Sequence, residues 1–251
     1  MGGLDYKIVH SRIFNQFTVR FNQQITPIRC KLFSILCSVS NRVVQYLEIV
    51  GCLDSLLKDL HNDNIELVIA TLFEVIVVIS HQEVLLKIFN EVYSVLEMNT
   101  FPLLIEILGL LKCPINLSCL KDMVVFASLH SDKCKFTHCT LLLKFVHDCD
   151  ARQILYKMKE YQTLLEKCFQ FATNEEEDLL AQMDTAHSYA TDEGIFMLAK
   201  IPESFWDNVL MSIKTGSYHL QKKALLFISV VFLNPHWDSI LTNYIAEEFV
   251  E

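Results

Sequence analysis

The sequence predicts an all-α chain organised as an α-solenoid of about five helical repeats, and three observations carry that expectation. Only 6 Gly and 5 Pro occur in 251 residues, too few breakers for a many-turned sheet protein. Apolar residues make up 52% of the chain, enough for a large core and far above the level of a disordered segment. Helix-length apolar runs alternate with polar or proline-bearing turns, at a spacing near the roughly 40 residues of helical repeat arrays.

The clearest unit runs from Asn41 to Ser80. A short helix ends at Gly51, a second spans Leu53 to Leu60, the polar stretch His61-Asn62-Asp63-Asn64 makes a turn, and a longer third helix climbs from Ile65 to about Ser80. Pro27 to Ser40 reads as a third helix without its first two, and residues 1–27 have no defined pattern. Downstream, Gln82–Asn90, Val92–Met98 and Phe101–Leu111 form a trio ended by Cys113-Pro114, because proline disfavours helical geometry in the residue before it. Leu117–Leu129 pairs with Lys133–Val146. Asp150–Lys159, Gln162–Thr173 and Glu175–Ser188 make another trio, and Ile195–Ile201 runs up to the break at Pro202. A second good copy follows, in which Trp206–Ile213 parallels Leu53–Leu60, Lys214–Ser217 replaces the polar turn, and Ala224-Leu225-Leu226 falls where Ala70-Thr71-Leu72 fell. Pro235–Glu251 reads as the first helix of a further repeat, so the chain is expected to be a fragment or to continue beyond residue 251.

This order of helices resembles the armadillo repeat, with the middle units equally similar to HEAT repeats. The resemblance implies one right-handed solenoid domain over residues 1–251, whose third helices line a concave face that captures a partner. On those helices the polar positions are Glu66, Glu74, Glu106, Lys135, His138, Glu177, Gln221, Lys222 and Lys223, the candidate partner-binding residues. The implied role is a non-enzymatic scaffold or adaptor for a protein partner; the alternative is a structural subunit held in a larger complex through exposed terminal repeats. Nuclear-import members of the family hold basic peptides with tryptophan and asparagine pairs on their third helices, whereas Trp206 and Trp237 fall outside these helices.

Other functional classes find little support. Lys and Arg outnumber Asp and Glu over residues 1–50 and 111–170 and are outnumbered over 51–110 and 171–251, for a net charge of −9, so no coherent basic face for nucleic acid is expected. The most apolar windows, Leu67–Ile79 and Ala224–Leu233, fall short of the roughly 20 residues that span a bilayer. Nine cysteines at irregular spacing suit packed thiols in a reducing compartment, cytoplasmic or nuclear. His130, Cys134, His138, Cys139, His147 and Cys149 cluster in sequence, and Cys134 and His138 are one helical turn apart, but the paired knuckles of a zinc site are missing and no metal is expected. Without a nucleophile elbow, P-loop, dinucleotide turn or metalloprotease signature, neither catalysis nor a cofactor is expected. The acidic run Glu175-Glu176-Glu177-Asp178 follows Thr173-Asn174 and reads as a capped first turn.

Overall fold

The structure, a computed structural model, describes residues 16–39, 47–170, 175–190 and 194–236, and among these residues every regular element is helical. Contacts gather the chain into two compact units, Met1–Pro114 and Ile115–Glu251. No helix among the described residues is long and apolar enough to cross a membrane. The segment 237–251, expected to begin a further repeat, lies outside the described residues, as do residues 41–46 of the expected first helix.

In the first unit α1 is described over residues 16–22 and is followed by α2 (Thr26–Val39), α3 (Leu47–Leu57), a 3₁₀ turn (Lys58–His61), α4 (Ile65–Ile76), α5 (Gln82–Tyr93) and α6 (Phe101–Leu110). Helices α2, α4 and α6 pack in a row, while α3 and α5 pack on each other and α5 also covers α6. Periodicity explains which faces meet. Val68, Leu72, Val75 and Ile76 are buried on α4, and Leu85, Ile88, Phe89 and Val92 on α5, the i, i+3/i+4, i+7 spacing of an amphipathic helix.

Several expected boundaries are displaced: the separate helix Leu53–Leu60 is the end of α3 plus the 3₁₀ turn, and α4 stops at Ile76 rather than near Ser80. Gly51 does not end a helix but lies inside α3, where a Cβ would sit 3.1 Å from Cγ2 of Thr18, so the missing side chain serves the close approach of α1. The expected helix Val92–Met98 is absent: α5 runs unbroken to Tyr93, and residues 94–100 are turns. Thr100, fully buried, locks that turn by accepting from the Glu97 amide at 2.8 Å and donating to the Val95 carbonyl at 2.8 Å. Pro102 then enters the first turn of α6, where its missing N–H is not needed.

The 3₁₀ turn is anchored by charge. Asp59 is buried, accepts a hydrogen bond from Thr26 Oγ1 at 2.9 Å, and pairs directly with the Arg29 guanidinium on α2. Arg29 also donates to Ser55 Oγ at 2.6 Å, tying α2 to α3. The pair is supported by further bonds, since Arg29 Nη2 also donates to Thr26 Oγ1 at 3.1 Å and Asn62 donates to Asp59 Oδ1 at 3.3 Å, while Arg29 Nε is left without a partner.

The second unit contains α7 (Leu117–Leu129), α8 (Phe136–His147), α9 (Arg152–Leu155), α10 (Lys159–Gln170), α11 (Glu176–Ala190), α12 (Ile195–Leu198), α13 (Glu203–Thr215) and α14 (Tyr218–Leu233). Here the layering is plainest. Helices α8, α11 and α14 form one row, α7, α10 and α13 a second, and the rows meet through α7–α8, α8–α10 and α13–α14 contacts. Such layering is compatible with an α-solenoid.

Aromatic rings fill the second unit. Phe169 of α10 meets Phe205 of α13 edge to face at 4.9 Å, and Phe227 of α14 stacks on Trp206 at 5.6 Å. Ala224 is fully buried on α14, whereas Ala70, at the matching place in the other copy, is exposed on α4. A polar knot sits nearby: the Tyr161 and Tyr189 hydroxyls bond each other, Tyr156 OH bonds His147 Nδ1 at 2.5 Å, and Tyr189 lies edge-on to His147. At Gly194 a Cβ would fall 2.6 Å from His147 Cε1, so glycine makes room for the ring.

Two outcomes follow from this packing. Asp59→Ala removes the counter-charge of the part-buried Arg29 guanidinium, and chemical denaturation is expected to register a loss of about 1–3 kcal/mol. Burial pushes the Tyr161 and Tyr189 hydroxyls well above the usual tyrosine range. The folded state therefore keeps them neutral while the unfolded chain ionises them near pH ~10, so the stability they confer is intact below that pH and is lost as pH rises through it. Tyr189→Phe should lower stability at neutral pH yet weaken this alkaline loss, read from denaturation midpoints across the two ranges.

Candidate partner-binding surface

The candidate residues of the first unit lie on α4 and α6. Glu66 and Glu74 are exposed on α4, and Glu106 is exposed on α6, which packs beside it. Glu74 accepts from Ser34 Oγ of α2 at 2.9 Å, so this carboxylate also pins two helices of the row together. Apolar side chains share the outer surface of the row, with Ile28 and Ile35 of α2 and Leu67 of α4 all exposed.

In the second unit the candidates separate. Lys135 is the N-cap of α8, exposed and outside the helix proper. His138 is buried in the first turn of α8, so it faces the core rather than a groove. Glu177 is exposed in the acidic first turn of α11, beside Glu176, which accepts from Ser217 Oγ at 2.6 Å. Lys223 turns back toward α11 and pairs with Asp184. That lysine, together with burial as the larger cause, lowers the pKa of His187.

Gln221 and Lys222 are the candidates that the fold brings together in a concavity. With Tyr218, Leu225 and Leu226 they line a groove of about 390 Å³ on the outer side of α14. The local sequence explains it. Ser217 caps the helix by accepting from the Leu220 amide at 3.2 Å. From there Leu220, Ala224, Phe227, Ile228 and Val231 point into the unit, while Tyr218, Leu225, Leu226, Phe232 and Leu233 remain outside. Tyr218 and Leu233 are 81% and 82% exposed. The sequence signal for these apolar residues is the all-round hydrophobicity of α14, which the repeat pattern assigns to a following neighbour.

A second concavity of about 400 Å³ lies beside α8, lined by Ser131, Asp132, Cys134, Phe136, Cys139, Lys167, Cys168 and Gln170. Cys134 and His138 do not share a helix face here: α8 begins at Phe136 after the Lys135 cap, so Cys134 precedes the helix and Cys139 is in its first turn. Residues in these two positions flanking a cap commonly pack together. The two thiols are hydrogen-bonded, and Cys139 reaches Cys168 of α10 in the same way. The Cys134 thiol is pushed far up, first by its bond to Cys139 and then by burial; Cys139 is pushed up by Cys168 and burial against a lowering contribution from Cys134. All nine cysteines are thiols.

The remaining histidines of the sequence cluster are elsewhere, His130 against the Phe126 ring and His147 against Tyr156. Among the described residues no group of three or more His, Cys, Asp and Glu side chains is disposed to hold a metal ion. No protein-family model matches the chain, and no curated protein or solved structure is significantly similar to it.

Proposed function

We propose that the chain is a non-enzymatic interaction scaffold, a right-handed armadillo-type stack, and that its α14 face takes an acidic, amphipathic segment of a partner protein. The observation that carries this reading is the outer stripe of α14, where Tyr218, Leu225, Leu226, Phe232 and Leu233 stand exposed around Gln221 and Lys222. Helix-in-groove recognition uses such a surface: apolar anchors supply the affinity and charges at the rim set the orientation.

Charge selects the partner. No Asp or Glu occurs between Asp207 and Asp238, and Lys222 is the charged residue lining the groove, while the carboxylates of α11 next to it are engaged, Glu176 by Ser217 and Asp184 by Lys223. An acidic segment is attracted to the Lys222 ammonium at the groove. Apolar groups in the groove then contribute roughly 25 cal/mol per Å² of area removed from water.

The second reading, a structural subunit of a larger complex, is favoured by exposed apolar side chains away from the groove, including Phe196 and Met211. The two readings separate on a titration with a synthetic 18-residue helical peptide of Leu and Glu against its Leu and Lys counterpart. A scaffold binds the acidic peptide saturably, and Lys222→Glu or Leu225→Glu weakens it at least tenfold, about 1.4 kcal/mol, with the melting temperature unchanged. Equal binding of both peptides, or binding indifferent to these substitutions, overturns the proposal.

A further inference from the structure

We propose that the cleft beside α8 is a covalent modification site for small anionic disulfides of the glutathione type, entered at Cys134 and resolved by Cys139. Three features of the cleft lead to it. Its volume of about 400 Å³ lies within the roughly 300–1,000 Å³ of small-molecule sites. Cys113, Cys134 and Cys149 are the part-exposed thiols, and of these Cys134 has a second thiol within hydrogen-bond reach while lining the cavity. The rim also supplies polar partners for a charged tripeptide. Lys167 spends two of its donors on the Ser128 carbonyl at 3.3 Å and Ser131 Oγ at 2.9 Å, leaving a third N–H and its charge for a carboxylate. Asp132 lies in the same lining and offers a counter-charge to an amine.

The chemistry balances without any further reagent. Cys134 loses its proton, its thiolate attacks one sulfur of oxidised glutathione, a mixed disulfide forms, and one glutathione thiolate leaves. Cys139 then loses its proton and attacks Cys134 Sγ, forming the Cys134–Cys139 bond and expelling the second glutathione thiolate. The two protons lost by the protein end on the two departing thiolates, so the protein is oxidised by two electrons and the small disulfide reduced by two. The position of the two cysteines around the α8 cap makes the pair a packing staple when reduced and a cross-link of the same turn when oxidised. Because Cys139 and burial hold the Cys134 thiol protonated, and Cys168 and burial do so for Cys139 against a lowering contribution from Cys134, the reaction is slow at neutral pH and quickens with thiolate fraction.

The test uses the full chain with oxidised glutathione, acid quenching, alkylation and tryptic mass spectrometry. Cleavage after Lys133, Lys135 and Lys144 leaves Cys134 and Cys139 on separate peptides, so their cross-link is directly visible. The expected result is a linked Cys134–Cys139 peptide whose initial rate rises about tenfold per pH unit between pH ~7 and ~9. In Cys139→Ser, and in Cys139→Ala in case serine disturbs the buried position, the reaction should arrest at a glutathione adduct on Cys134. The proposal is overturned if Cys113 and Cys149 are modified while Cys134 is not, or if the Cys139 variants accumulate no more adduct on Cys134 than the unaltered chain.

Discussion

A helix in the middle of a row has neighbours on both flanks and a second layer beneath it, so the side chains it buries must be apolar or, like Gln182 and Thr185 of α11, hydrogen-bonded internally. That requirement governs the second unit: α11 is flanked by α8 and α14, and α14 presses Ala224, Phe227 and Val231 into the unit. It also accounts for the candidate surface. The described neighbour of α14 in the row is α11, so side chains of the kind that fill the space between two helices, Leu225 and Leu226 above all, are left outward and join Lys222 in a groove. Packing and proposed binding are thus consequences of one pattern, used on both sides of the same helix.

Polar groups inside the units set register rather than supply bulk stability. Asp59 and Arg29 hold a 3₁₀ turn against α2, and the tyrosine–histidine knot fits α8, α10 and α11 to one another where plain apolar contacts would tolerate sliding. Lys223 illustrates how the same device removes a residue from the surface. Its pairing with Asp184 joins α14 to α11, while the adjacent Lys222 stays at the groove.

Much of the secondary structure was legible in the chain. Leu117–Leu129 coincides with α7, and the expectations at Pro27–Ser40, Phe101–Leu111 and Lys133–Val146 fall close to α2, α6 and α8. Failures came where one residue type has two physical meanings. Gly51 was read as a stop, yet with no positive φ it is a point of close helix contact, visible only once Thr18 of α1 is placed. Val92–Met98 has helical composition, but Thr100 closes a turn through hydrogen bonds that no periodicity reveals. His138 has the polarity of a surface residue and lies in the core, because the phase of α8 is set by where Lys135 caps it.

The sequence by itself determined that this chain is helical and where most helices lie, because breakers, caps and apolar period act over a few residues. Tertiary structure decided which side chains become neighbours: it placed Cys168, 29 positions beyond Cys139, against the thiol pair at the α8 cap, and it aimed Lys222 outward while turning Lys223 to Asp184. Such meetings depend on how two helices are rotated and shifted against each other. That arrangement is settled by the whole packed layer and is encoded in no single segment.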